Sequence, residues 1–217
     1  MALAWFVRYL EHEIVQEREG HIEILGQETI PAEEVRLDPK SPTPWNLPGG
    51  QSIYVEEAGH NVRHGFLTYF QAHGGVEALG LPLTEEFFEQ GRAVQYFERA
   101  RFEYHPELAG TPYAVQLGLL GDQTTQSVRP FPTIAPFPSE QDHRYFPETG
   151  HAVNFAFLRY WEQEGALDAF GYPISEELFE NGVTVQYFQR TRLEYRPELG
   201  GAFGVVKGLV GAELLRA

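Results

Sequence analysis

The feature that most constrains this 217-residue chain is that one stretch is written twice. Gly59 to Gly110 reads GHNVRHGFLTYFQAHGGVEALGLPLTEEFFEQGRAVQYFERARFEYHPELAG, and Gly150 to Gly201 reads GHAVNFAFLRYWEQEGALDAFGYPISEELFENGVTVQYFQRTRLEYRPELGG. The register holds without a gap, and about half of the paired positions are identical. Self-similarity on this scale marks tandem copies of one structural unit. The implied division is an N-terminal appendage at 1–37, a first unit at 38–128 and a second at 129–217. Each unit is near the lower size range of an independent domain.

Composition supplies the means for two cores. Hydrophobic residues make up 42% and aromatics 14%, with 16 Phe and 11 Tyr, so the apolar surface suffices to offset ordering entropy. The formal charge of −15, with no Lys/Arg-rich stripe, repels phosphate backbones and anionic lipid; no nucleic-acid partner is expected. The absence of Cys excludes disulfides, cysteine zinc sites and thiol nucleophiles. No run approaches the ~20 apolar residues of a membrane helix, so membrane insertion is not expected. The opening MALAWFVRYLEHE turns charged at Arg8, which does not match an intact signal peptide.

Within the appendage, Phe6–Glu11 echoes Phe157–Glu162, as the relic of a truncated copy or by chance among amphipathic helices. Glu13–Leu25 predicts a hairpin turning near Gly20. The Pro/Gly-punctuated connectors 38–50 and 129–143 cannot be helix or central strand. Their bulky Trp45, Phe131, Ile134 and Phe137 predict extended straps laid on the units.

Each unit then predicts an amphipathic helix, Asn61–His73 or Ala152–Glu164, from apolar residues at helical spacing, stopped by Gly74-Gly75 or Gly165. A tight turn at Leu79–Pro82 or Phe170–Pro173 leads into Thr84-Glu85-Glu86 or Ser175-Glu176-Glu177. That pattern predicts an N-cap with acidic residues in the first turn of a short helix ending at Gly91 or Gly182. A β-hairpin follows, Val94–Phe97 with Arg101–Tyr104 and Val185–Phe188 with Arg192–Tyr195, rich in β-branched and aromatic residues. The expected fold class is α+β: two tandem units, each an amphipathic helix, a short capped helix and a β-hairpin, plus the appendage.

The segments GLPLTEE (80–86) and GYPISEE (171–177), each followed by a Gly turn, a QYF hairpin and a closing Val-x-x-Gly-Leu or its variant, resemble LGFP repeats. Those are short αβ units found in tandem in bacterial cell-envelope proteins. The resemblance covers roughly residues 74–121 and 165–211; Leu81 and Tyr172 stand where the family usually carries Phe. It implies a cell-envelope or extracellular setting and a role in binding or anchoring to the cell wall.

Residues with chemistry to offer are those shared by both copies. Arg99, Arg101 and Glu103 recur as Arg190, Arg192 and Glu194, alternating along a strand. They fit either a groove reading hydroxyls or carboxylates through guanidinium forks or a cross-strand ion-pair ladder. Tyr96, Tyr104, Tyr187 and Tyr195 recur beside them, suited to stacking on sugar rings or to packing. Binding candidates are therefore Tyr96, Arg99, Arg101, Tyr104, Tyr187, Arg190, Arg192 and Tyr195. His60 and His64, four residues apart on the expected helix, have metal-ligand spacing but no third ligand. No nucleophile elbow, P-loop or catalytic triad is present, and Glu85/Glu86 are accounted for as capping residues; neither enzyme activity, cofactor nor metal is expected. The expected function is a non-catalytic binding or anchoring module contacting glycan or protein. The alternatives are a structural subunit that self-associates through the same faces and, more remotely, a hydrolase using a cleft between the copies.

Overall fold

A computed structural model describes residues 52–200 and 202–216 in full, together with the backbone of four strands nearer the N-terminus. Those strands, β1 (Val7–Leu10), β2 (Glu13–Arg18), β3 (His21–Ile24) and β4 (Ile30–Pro31), form an antiparallel sheet in that order. The expected hairpin at Gly20 is the β2–β3 connection, with Arg18 opposite His21. Val7–Leu10 pairs with Glu13–Gln16 as a strand, so the helical echo in this segment is not a helix. Connector 38–50 lies outside the described residues.

The chain divides into two compact units, Met1–Gln116 and Leu117–Ala217. Both are mixed α and β with antiparallel sheets. The first continues with the ribbon β5 (Ser52–Val55) and β6 (His60–Arg63), the helices α1 (His64–Ala72) and α2 (Gly75–Leu79), then β7 (Phe87–Glu89), β8 (Arg92–Tyr96), β9 (Arg101–Tyr104) and β10 (Val115–Leu117). The last four form one sheet in the order β10-β9-β8-β7. The second unit runs α3 (Leu120–Thr124), the ribbon β11 (His143–Phe146) and β12 (His151–Asn154), α4 (Phe155–Gln163), α5 (Ala166–Phe170), the sheet β13 (Leu178–Glu180), β14 (Val183–Tyr187), β15 (Arg192–Tyr195) and β16 (Val205–Lys207), then α6 (Val210–Arg216). No described helix is long and apolar enough to cross a membrane.

The helix predicted from residue 61 or 152 starts three residues later. Residues 60–63 and 151–154 are instead strands, paired with 52–55 and 143–146. The break falls at His64 and Phe155, which adopt left-handed φ values of 49° and 45°, a conformation costly for a residue with a Cβ. The glycine stop holds: Gly74 and Gly165 are left-handed, and a second short helix follows each at once. On α1 and α4 the buried stripe is Phe66, Leu67 and Phe70, and Phe157, Leu158 and Trp161.

The predicted short helix after Thr84 or Ser175 does not exist. Phe87–Glu89 and Leu178–Glu180 are strands closing on β8 and β14 through two-residue turns, Gln90-Gly91 and Asn181-Gly182. All four turn residues have φ between 49° and 83°, the type I′ geometry that matches strand twist. The hydroxyls of Thr84 and Ser175 cap no helix; they accept from the amides of Tyr96 (3.1 Å) and Tyr187 (3.0 Å).

In the second unit the four-stranded sheet is covered on both sides. In the second unit the α4-facing side buries Phe188, Leu193 and Val205 with Phe146, Val153, Phe157, Leu158, Trp161 and Phe170. Residues at the paired positions of the first unit are buried likewise: Val55, Val62, Phe66, Leu67, Phe70, Leu79, Phe97, Phe102 and Val115. On the other side of the second sheet Ile174, Val185 and Tyr187 pack with Phe131, Leu178 and Val183. Phe131 belongs to connector 129–143, which is a strap as expected: its ring stacks on Tyr187 at 5.9 Å, Ile134 N–H donates to Gly150 O at 3.0 Å, and Phe137 meets Tyr145.

A buried amide fastens the layers. Gln186, fully buried, donates to Ala152 O (2.7 Å) and Ser175 O (2.8 Å); Gln95, equally buried, donates to Asn61 O (2.7 Å) and Thr84 O (2.8 Å). Truncation leaves two carbonyls without donors, at about 1–3 kcal/mol each. Gln186→Ala is expected to lower unfolding stability of the second unit by roughly 3 kcal/mol in urea titration; a change below ~1 kcal/mol would contradict this role. Gly171 has φ 73° and its Cβ would lie 2.8 Å from the Cβ of Gln189. Gly171→Val is therefore expected to lower the melting temperature by several degrees, and an unchanged value would refute the turn.

Candidate functional site

Side chains from β7, β8 and β9 with odd-even alternation meet on the sheet face away from α1. Tyr96 OH donates to Glu89 at 3.0 Å, and Arg101 Nη1 donates to Tyr96 OH (3.1 Å) and Glu89 (3.2 Å). Arg101 Nη2 pairs with Glu103, and its Cζ stands 5.6 Å over the Tyr96 ring. Phe87 stacks on the other flank of Tyr96 at 5.9 Å. In the second unit Tyr187 OH donates to Glu180 (2.9 Å), while Arg192 reaches Glu194 (3.1 Å) and Glu213 of α6 (2.7 and 2.9 Å). Arg196 Nε completes Glu194 at 3.0 Å.

These groups hold one another's charge states. Burial pushes the Tyr96 and Tyr187 hydroxyls up, against the hydrogen bonds from Arg101 and Arg192. Burial would raise the Glu194 carboxyl, but the hydrogen bond and charge of Arg192, then Arg196, outweigh it and hold it below the ordinary value. Of the two roles open from sequence, the geometry is that of the ladder.

The eight candidate residues therefore separate. Tyr96 and Arg101 are buried, as is Tyr187, and Arg192 is nearly so, all four engaged within this face. Arg99 and Tyr104 are half-buried. Arg190 is half-buried. Tyr195 is set apart at 45% exposure. It lies on the opposite, α4-facing side, beyond the helix.

Sequence reasoning missed the neighbour that makes Tyr195 notable. Phe179 of β13 is opposite Thr184 of β14, and Thr184 is opposite Tyr195 of β15. Directly opposed residues project from the same face, so the three form a row across the sheet end. Phe179 is 77% exposed. The ring of Tyr195 is braced where Gly204 leaves room, a Cβ there lying 3.2 Å from Cε2. The signal available in the sequence is the Asn-Gly pair at 181–182, which makes Leu178–Glu180 a strand and turns Phe179 outward.

A second polar cluster joins the ribbon to the sheet. Glu85 accepts from Asn61 N (2.9 Å) and Arg63 Nη2 (2.7 Å), with His60 at 3.5 Å. Glu176 accepts from Ala152 N (3.0 Å), with His151 Nδ1 at 3.1 Å. These glutamates thus serve strand amides of β6 and β12 rather than a helix start. His60 sits in β6 and His64 opens α1, so the pair does not share a helix face. Among the described residues no three His, Asp or Glu are grouped to hold a metal ion.

Glu85 and Glu86 have opposed environments. Burial would raise the Glu85 carboxyl, but the His60 and Asn61 hydrogen bonds and the Arg63 charge hold it below its usual value. Glu86 Oε1 is sealed from solvent with no hydrogen-bond partner. Burial, reinforced by the Glu85 charge and opposed by Arg63, pushes its carboxyl up to about 7.

The chain matches no protein-family model and no curated protein.

Because the folded state holds the Glu86 proton more tightly than the unfolded chain, the stability it contributes is lost as pH rises from about 4.5 to about 7. Glu86→Gln removes that loss. Its melting temperature is expected to exceed the unsubstituted protein's by about 3 °C at pH 8, the gap shrinking at pH 5.5. A gap independent of pH would contradict the assignment.

Proposed function

We propose that this protein is a non-catalytic binding or anchoring module built from two copies of one LGFP-like unit, working in a bacterial cell envelope or extracellular assembly. Its partner is a wall or surface glycan, or a protein of that assembly. The observation that carries the reading is the Phe179–Thr184–Tyr195 row: aromatic side chains held by a sheet, yet exposed. Exposed apolar clusters of this kind mark interaction surfaces, and flat aromatic rings stack on sugars or seat in protein pockets at little entropic cost. The contact therefore lies at the end of the second sheet, with Tyr195 its shared member among the candidates, while the Arg–Tyr–Glu faces give the sheets rigidity.

The internal pairing of the polar groups weighs against catalysis. Tyr96, Arg101, Tyr187 and Arg192 hydrogen-bond chiefly to one another and to nearby glutamates, and Glu85 and Glu176 accept from the strand amides of Asn61 and Ala152. That arrangement favours a structural role for them over a catalytic one.

Self-association as a structural subunit is favoured by one further observation. β13 is an edge strand of its sheet, and exposed edges invite strand pairing with another chain.

The test is Phe179→Ser with Tyr195→Ser. The pair is expected to leave the melting temperature within about 2 °C, since both positions are exposed. Co-sedimentation with purified cell-wall sacculi or surface polysaccharide is expected to fall at least tenfold. Wild-type protein that fails to sediment, or a variant that sediments as well, would remove the glycan reading. A concentration-dependent mass in light scattering that the same substitutions abolish would establish the self-associating one instead.

A further inference from the structure

The duplication gives the Phe179–Thr184–Tyr195 row a counterpart within the same molecule. At the paired positions of the first unit stand Phe88, Ala93 and Tyr104, with Phe88 opposite Ala93 across β7 and β8. The backbone frame is the same: β7 and β13 are three-residue strands at the edge of sheets with matching strand order. Exposure differs at every position of the row. Phe179 is 77% and Tyr195 45% exposed, with Thr184 half-buried, whereas Phe88 and Tyr104 are half-buried and Ala93 is buried.

What lies outside the edge strand differs too. In the first unit β1, the edge of the N-terminal sheet, lies against β7 although the two belong to separate sheets. Among the described residues the main contact of β13 is with β14, inside its own sheet. One copy of the edge is thus covered by a strand from outside its sheet, and the other is bare. An uncovered edge leaves a row of backbone donors and acceptors unpaired, and strand addition uses those groups for affinity and alternate side chains for selection.

Charge narrows the occupant further. Glu176, Glu177 and Glu180 stand on or just before β13, and residues 160–189 include no Lys or Arg. Such an edge disfavours a strand carrying acids and favours one carrying a cation. The strand beside β7 fits that description: β1 reads Val-Arg-Tyr-Leu, three uncharged residues and one cation. A second copy of this chain fits the bare edge poorly, because two such edges are both acidic and each chain carries a formal charge of −15.

We propose that the row at the end of the second sheet receives a β-strand of another protein, apolar with a basic residue and no acid, as β7 receives β1. Phe179 is its anchor, and the polypeptide cover of the first unit is the precedent. This partner rests on the reading of the row given above and narrows it, from glycan or protein to protein.

The test is a ¹H–¹⁵N titration of the full chain, at about 0.15 M salt, with a synthetic peptide of residues 4–10 (Ala-Trp-Phe-Val-Arg-Tyr-Leu) extended by a dilysine tail for solubility. Saturable shifts at the amides of Phe179, Thr184 and Tyr195 are expected, with a Kd on the order of 100 μM, and none at Phe88, whose edge is already occupied. A peptide carrying Tyr9→Pro, which interrupts the strand, and one carrying Arg8→Glu are each expected to bind about tenfold more weakly. Phe179→Ser in the protein is expected to weaken the parent peptide about tenfold while leaving the melting temperature within about 2 °C. Phe88→Ser, at a covered ring, is expected to lower it by several degrees. No saturable shift, shifts that persist in Phe179→Ser, equal binding of either altered peptide, or an unchanged melting temperature for Phe88→Ser would overturn the proposal. So would a mass that grows with protein concentration and is abolished by Phe179→Ser, which assigns the row to a second copy. If the peptide fails while Phe179 and Tyr195 remain necessary for sedimentation with sacculi, this proposal falls alone and the row belongs to glycan; failure of both removes the row as a contact surface.

Discussion

One buried side-chain amide ties together three segments that are far apart in sequence. Gln186 reaches the strand before α4, through Ala152 O, and the chain before β13, through Ser175 O. Together with Glu176, which accepts from Ala152 N, it fixes a register that apolar contact, being non-directional, would leave open. The amide is two donors in a rigid plane, so it sets distance and orientation together. Tyr187 N–H closes the same loop on the Ser175 hydroxyl. Gln95 and Thr84 repeat the arrangement in the first unit. The Gln-Tyr-Phe run thus places three consecutive residues in three roles: an amide fastener, an ion-pair anchor on one face and a core aromatic on the other.

That alternation explains why so many charges are internal. A four-stranded sheet of short strands cannot leave one side to water if a helix covers the other and a strap crosses the first. In the second unit the Arg–Tyr–Glu cluster lets the second side be covered while Arg192 and Glu194 stay paired. Such clusters are near break-even against an apolar replacement but costly to break singly, by about 3–5 kcal/mol. Their contribution is directional: Arg192 spans β15 to α6 through Glu213, and so orients the last helix. The two-sided covering stops at the sheet end, where Phe179 and Tyr195 project past α4 and are left to solvent.

The parts of this fold legible in the sequence are those with an unambiguous period or punctuation. The alternation of Val94–Phe97 with Arg101–Tyr104, the glycine stops at Gly74 and Gly165, the glycine at 171 and the bulky residues of the 129–143 strap all belong to that class. Thr84-Glu85-Glu86 does not. A hydroxyl followed by acids satisfies helix amides and strand amides equally well, and only the distant Tyr96 and Asn61 amides decide between them. Likewise Asn61–Arg63 carries helical spacing but has a pairing partner in 52–55, and the left-handed φ at His64 that separates strand from helix has no glycine to announce it. Asn181-Gly182 does announce a hairpin; the first copy's Gln90-Gly91 makes the same turn with a weaker signature, and averaging over the two copies dilutes the stronger one.

Site residues are less legible for a related reason. Identity between the copies points to what the unit needs in order to fold, and the structure accordingly places Gln95/Gln186, Arg101/Arg192 and Tyr96/Tyr187 inside it. What a unit offers to a partner resides where fold demands are weakest, which is also where the copies are free to diverge. Ala93 is buried where Thr184 is half-exposed between Phe179 and Tyr195. Identity between Gly59–Gly110 and Gly150–Gly201 therefore reports the demands of folding, and the positions where the two stretches differ are the ones those demands leave free.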